Sequence, residues 1–291
     1  MKSVAENSVS AGRRWGRRVL GASVVAAMAA TMMAAFASPA SAGLIGVQIK
    51  SETSVSSSVR KSIDADCPPD TVLVGTGGSV SDNREVRIKD ITPSVNSVEV
   101  EAVEDDDGTT GSWTVTATAV CAVRPPGYEL VEQTDPSNST TREAAQADCT
   151  GDNVVLGTAA EIDGISAGDV VIDTIIPTRD SVRVVANEDQ NGTTANWSVA
   201  AWAICADPAA APTIVSDISA STPNAKSESV ACTSGSATGI GGLLVGPYGE
   251  IALSSLKPSE YLGTHLGFTQ GAGDDDGASG NFTVTVYLIC A

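Results

Sequence analysis

One pattern is written three times in this chain, and it limits the fold more than any other feature. An aromatic residue stands eight positions before a cysteine, with small or branched residues at alternate positions between them. The copies are WTVTATAVC (Trp113 to Cys121), WSVAAWAIC (Trp197 to Cys205) and FTVTVYLIC (Phe282 to Cys290). Side chains alternate across a strand, so Trp113, Val115, Ala117, Ala119 and Cys121 share one face, and the same holds in the other two copies. The cysteine-bearing face is expected to point inward, with the ring filling one end of a small core and a disulfide tying the other.

The repetition extends well beyond these strands. Cys67, Cys149 and Cys232 open three units of about 80 residues, expected over 43–124, 125–206 and 207–291. Each holds a short extended stretch (IGVQIKSET, GYELVEQTD, PTIVSDISA), a second stretch running into the cysteine, a Gly-rich stretch (VLVGTGG, VVLGTAA, ATGIGGLL) and a fourth (VRIKDITP, VVIDTIIP, IALSSLKP). In the fourth stretch Val86 and Ile88, Val170 and Ile172, and Ile251 and Leu253 alternate with period two. Pro93, Pro177 and Pro258 are expected to end it. No helical period of ten residues or more occurs after Gly43, so the fold class is all-β: three homologous antiparallel β-repeats. Two arrangements fit, a tandem row of small β-sandwiches or one body with pseudo-threefold, β-prism-like symmetry. The short proline-containing joints AVRPPG and ADPAAAP favour the closed body.

All six cysteines lie after Gly43. An even count at a regular spacing in an exported chain points to disulfides, and the repeat pairs Cys67 with Cys121, Cys149 with Cys205, and Cys232 with Cys290. Zinc would want C-x-x-C or nearby histidines, and the only histidine is His265. A core of Val, Ile and Ala is thin for so small a unit. A bridge closing a loop of about 55 to 59 residues would add about 4 kcal/mol by constraining the unfolded chain.

Residues 1–42 read as an export signal. Arg13, Arg14, Arg17 and Arg18 form a basic region, Val19 to Ala37 an apolar run, and Ala40-Ser41-Ala42 a small-x-small cleavage pattern. The expected mature chain begins at Gly43 and is extracellular. Losing five positive charges (Lys2, Arg13, Arg14, Arg17, Arg18) and one negative (Glu6) takes the formal charge from −18 to −22. No basic patch then remains to neutralise phosphates, which argues against nucleic acid and anionic membranes as partners.

The polar feature most worth testing is the loop before each final strand: EDDDGTTGSW, EDQNGTTANW and GDDDGASGNF. Asp105, Asp107, Asp189, Asp274 and Asp276 are candidate calcium ligands, but Asp-Gly and Asn-Gly are also what a hairpin tip requires, and the turn is the expectation. Trp202 and Tyr287 lie on the strand face opposite the cysteines and are the candidate ligand-facing aromatics; the first repeat has Thr118 there. GTGG (Gly75 to Gly78) lacks the Lys and helix of a phosphate loop, so a bulge or close backbone approach is expected. No serine has a G-x-S-x-G setting, and neither an enzyme nor a cofactor is expected.

The recurring Cys, GTGG or GTAA, proline-terminated strand, acidic loop and closing A-x-A-x-C-A resemble repeats in secreted, cysteine-paired β-proteins of Streptomyces and related actinobacteria. That resemblance covers Gly43 to Ala291 and implies no activity. A weaker similarity is to the vitelline membrane outer layer protein family, which implies a threefold β-prism. The expected role is a secreted, non-catalytic binding module for carbohydrate or a cell-wall polymer. The alternatives are a structural cell-surface or spore-envelope protein and a protease-inhibitor-like protein presenting GYELVEQTDPSNSTTRE.

Overall fold

The computed structural model describes residues 43–291 except 83, 106–107, 166–167 and 274–276. The export signal expected over 1–42 and three of the calcium candidates, Asp107, Asp274 and Asp276, lie outside the described residues. Every repeat supplies six strands. They are β1 (Gln48–Thr53), β2 (Lys61–Asp66), β3 (Val72–Val80), β4 (Val86–Pro93), β5 (Ser97–Glu104) and β6 (Val115–Ala122) in the first. The second has β7 (Glu129–Thr134), β8 (Arg142–Asp148), β9 (Val154–Asp163), β10 (Val170–Pro177), β11 (Ser181–Glu188) and β12 (Ser198–Ala206). The third has β13 (Thr213–Ile218), β14 (Lys226–Ala231), β15 (Ala237–Val245), β16 (Ile251–Tyr261), β17 (Thr264–Gly273) and β18 (Thr283–Cys290).

These strands form three antiparallel sheets of six, and each sheet is drawn from two repeats: β1-β6-β3-β16-β17-β14, β2-β5-β4-β9-β12-β7 and β13-β18-β15-β10-β11-β8. A repeat is therefore a small sandwich of two three-stranded half-sheets, such as β1-β6-β3 over β4-β5-β2. Each half-sheet continues into a half-sheet of a different repeat. The two arrangements left open by the sequence are thus both present, as three sandwiches joined cyclically into one pseudo-threefold body. The largest apolar cluster runs through all three repeats, from Val98 and Val115 through Val184 and Val199 to Leu253 and Val284.

The expected disulfides are present, and each crosses between two sheets. Cys67 follows β2 and bonds Cys121 on β6, Cys149 follows β8 and bonds Cys205 on β12, and Cys232 follows β14 and bonds Cys290 on β18. Trp113, Trp197 and Phe282 are buried at the other end of the same strands.

The Gly-rich strands β3, β9 and β15 meet one another about the pseudo-axis. A Cβ on Gly75 would fall 1.4 Å from Thr238 O, one on Gly157 2.5 Å from Val74 O, and one on Gly239 2.5 Å from Leu156 O. Only glycine permits this cyclic backbone contact. Bulges at Leu73/Gly75 and Ala237/Gly239 accompany it, so the GTGG stretch serves the assembly. Thr76 Oγ1 donates to Thr158 O and Thr158 Oγ1 to Ile240 O; Ile240, at the third position, has no hydroxyl with which to close the ring.

The sheets are joined across repeats by very few rungs: Ser255 with Ser79 and Leu256 with Gly78, Thr174 with Leu243 and Ile175 with Gly242, and Ile91 with Ala160. Proline explains the shortness. The Pro258 ring lies where a Cβ on Gly77 would come within 2.6 Å of Cδ, and Pro177 lies likewise against Gly241 at 2.7 Å. One expectation needs correction here. Pro93 and Pro177 end their strands, but β16 continues through Pro258 to Tyr261, pairing Ser259 with Leu266 and Glu260 with His265. The proline blocks the side facing β3 while pairing with β17 goes on, and Leu262 and Gly263, both at positive φ, close the hairpin.

Candidate functional site

The described residues of the loops before β6 and β12 make turns. Asp105 Oδ1 accepts from Gly108 N at 3.2 Å and its Oδ2 faces Arg87 Nη2 at 3.3 Å. Asp189 Oδ1 accepts from Asn191 N and Gly192 N at 3.0 and 2.9 Å. Gly108 and Gly192 both have φ of +67°, the conformation the Asp-Gly and Asn-Gly pairs anticipated. Among the described residues, no three or more His, Cys, Asp or Glu side chains converge as a metal site.

Behind each loop the ring at the strand start selects its neighbours. Trp113 Nε1 donates to Glu104 Oε1 at 2.8 Å and Trp197 Nε1 to Glu188 Oε1 at 3.2 Å. In the third repeat the ring is Phe282, which has no N–H, and the register position of the glutamate is Gly273. Donor and acceptor disappear together, as the cost of an unpaired buried group requires. Lys61 and Lys226 lie over the Trp113 and Phe282 rings at 3.3 and 3.2 Å. The second repeat instead has Glu143, which accepts from Thr140 Oγ1. A hydrogen bond shared with Glu143, aided by burial, pushes the Asp135 carboxyl up to about 6.

Trp202 and Tyr287 occupy the outward side of β12 and β18, on different sheets, and both are half-buried. Trp202 sits between Glu132 and Ala159, and Tyr287 between Ser216 and Gly241. Thr118, in the equivalent place, is buried and hydrogen-bonded to Ser51 at 2.9 Å. None of the three lines a described cleft. His265, on β17, pairs with Glu260, and its Nδ1 is buried without a hydrogen bond. The segment GYELVEQTDPSNSTTRE forms β7, a connection pinned by an Asn138–Trp197 bridge, and the start of β8.

The outward faces of the three sheets share a backbone and differ in chemistry. One row across the first sheet reads Thr53, Thr116, Ser79, Ser255, Gln270, Ser227. The corresponding row of the second passes from Thr134 through Ala200 and Glu161 to Asp90, Glu101 and Ser62. In the third it reads Ile218, Thr285, Leu243, Thr174, Val185, Ala144. These rows are respectively hydroxyl-rich, acidic and mostly apolar, whereas the neighbouring row of the third sheet carries Ser216, Tyr287, Arg183 and Gln146. On the acidic one, burial pushes Asp90 up to about 7 even with Lys89 Nζ at 2.7 Å, and Asp90 Oδ1 accepts from Ile162 N of the next repeat. Burial likewise raises Glu161.

Two exposed aromatic residues escape the periodicity, Tyr248 and Tyr261. Tyr248, in the loop between β15 and β16, is 56% exposed, and Arg142 of the second repeat stacks on its ring at 4.5 Å. Together with Asn187, Glu188, Asp189 and Gln190 they line a cleft of about 410 Å³. The cleft lies at a corner where the third repeat packs on the second, with Gly249 against Glu188 O. At the opposite, cysteine end an apolar cleft of about 260 Å³ lies among Leu44, Val123, Pro125, Pro126 and Ala210. No protein-family model matches the chain, and no curated protein matches it.

Proposed function

We propose that the protein is a secreted, non-catalytic binding protein for an extracellular or cell-envelope glycan, engaging one composite partner per chain. The observation that carries this reading is the divergence of the outward rows over a common backbone. Three copies of one ligand would keep three matching surfaces, whereas corresponding rows that differ from hydroxyl-rich to acidic to mostly apolar suit a single extended partner. The negative formal charge of −18 disfavours polyanions, and the Ser, Thr and Gln row offers hydrogen bonds without charge, as a neutral polysaccharide requires. The test is co-sedimentation of purified, oxidised protein with cell-wall material, chitin and cellulose. Retention on at least one supports the reading, and recovery of all the protein in the supernatant of every one contradicts it.

A structural role at the cell surface is the second reading, and the disulfides favour it. Each bridge stitches two sheets together at a different corner, so no sheet can peel away while the bridges last.

A further inference from the structure

Resting on the glycan-binding reading, we propose that the corner cleft between Tyr248 and Arg142 is a saccharide subsite that takes a neutral, polyhydroxylated sugar residue against the open face of the Tyr248 ring. Its volume of about 410 Å³ falls in the roughly 300 to 1,000 Å³ range of small-ligand sites. The ring is more than half exposed, and the Arg142 guanidinium stacks over one face at 4.5 Å. An aromatic ring exposed in this way is a platform for the apolar side of a sugar, with only two side-chain torsions to order on binding.

The polar groups suit hydroxyls better than ions. Arg142 disfavours a cationic ligand, and Glu188 with Asp189 disfavours an anionic one, so an uncharged, hydroxyl-bearing ligand best suits the mixed charge of the lining. Asn187 on the cleft floor is itself anchored from within the sheet. Asp173, 1% exposed, accepts from Asn187 Nδ2 at 2.5 Å through Oδ2, while its Oδ1 has no partner. Asp173 holds the Asn187 carboxamide in place on the cleft floor, and its own orphaned oxygen is a cost that the fold tolerates only here, at Arg87, at Trp202 and at His265 among the described residues. The corner is specific to the second and third repeats. At the position of Arg142 the first repeat has Arg60, paired with Glu101, and the third has Ala225.

The test uses nitrogen-15-labelled, oxidised protein titrated separately with soluble N-acetylglucosamine, glucose and maltose-type tetrasaccharides. Trp197 reports on the cleft through its hydrogen bond to Glu188, and Trp113, bonded to Glu104, is the internal control. The proposal expects at least one sugar to move the Trp197 indole N–H resonance and leave that of Trp113 in place. Tyr248→Ala should then weaken binding about tenfold or more, and Tyr248→Phe should stay within about twofold, since the ring alone does the stacking. Binding that moves Trp202 in place of Trp197, or that survives Tyr248→Ala, overturns the subsite and leaves the glycan reading standing. If no sugar moves any resonance and no polysaccharide retains the protein, both are overturned.

Discussion

The axis and the corners of this molecule obey different rules. Along the axis the repeats are nearly interchangeable: Gly75, Gly157 and Gly239 touch each other's backbones in a closed cycle. At the corners the equivalent loops read SDNRE, GISAGD and GPYGE, and only one carries an aromatic ring. Backbone contact leaves a position no choice of side chain, whereas a solvent-facing loop is free to differ. Repetition therefore marks what closes the body, and divergence marks where a partner can be told apart.

The comparison breaks most severely at the axis. Gly75→Ala would place a Cβ 1.4 Å from Thr238 O, and neither backbone can retreat without opening the cycle. Loss of the folded state is expected, read as absence of a cooperative thermal transition, whereas Tyr248→Ala at the corner should leave the melting temperature within about 2 °C, as for surface changes worth under about 0.5 kcal/mol. Next in size is a disulfide. Cys149→Ser with Cys205→Ser removes the bridge between two sheets and should cost about 4 kcal/mol by denaturant titration.

A smaller effect tests the ring-and-acceptor pairs that lie between axis and corner. Trp197→Phe strands Glu188 Oε1 and should cost about 1 to 3 kcal/mol. Adding Glu188→Ala, which mimics the Phe282 and Gly273 combination, should recover part of that loss, and a double-mutant cycle reads the coupling. The smallest effect is on pH dependence. With its pKa raised from 3.8 to about 7 by burial, Asp90 stays protonated in the folded state where the unfolded chain has already ionised. The folded state then binds more protons between roughly pH 4 and pH 7, and this contribution to stability falls as pH rises through that window. Asp90→Asn should shrink the difference in melting temperature between pH 4.5 and pH 7.5 by a few degrees.

Much of the architecture was legible in the sequence because period two and cysteine spacing are local signals. They gave the inward face of β6, β12 and β18 and the disulfide partners. Which strand lies beside which was not legible. Alternation tells which side chains point inward, but the junction of β3 with β16 rests on two rungs and a proline ring over Gly77, and no local pattern encodes that. Pro258 misled for a related reason: a proline forbids bonding on one side of a strand only. The candidate site was less legible than the fold. Trp202 and Tyr287 stood out because they fall on the repeated strand, yet both are half-buried between neighbouring strands. Tyr248 has no aromatic counterpart in the equivalent loops of the other repeats, so a search guided by repetition passes it by. The available signal was the reverse one, a lone aromatic flanked by Gly and Pro where the other copies have none.

Differential scanning calorimetry of the purified, oxidised protein addresses most directly whether shared sheets fuse the three repeats into one body. One transition is predicted, with a calorimetric enthalpy equal to the van't Hoff enthalpy. Three resolvable transitions, or a calorimetric enthalpy about three times the van't Hoff value, would show repeats that melt alone and would contradict it.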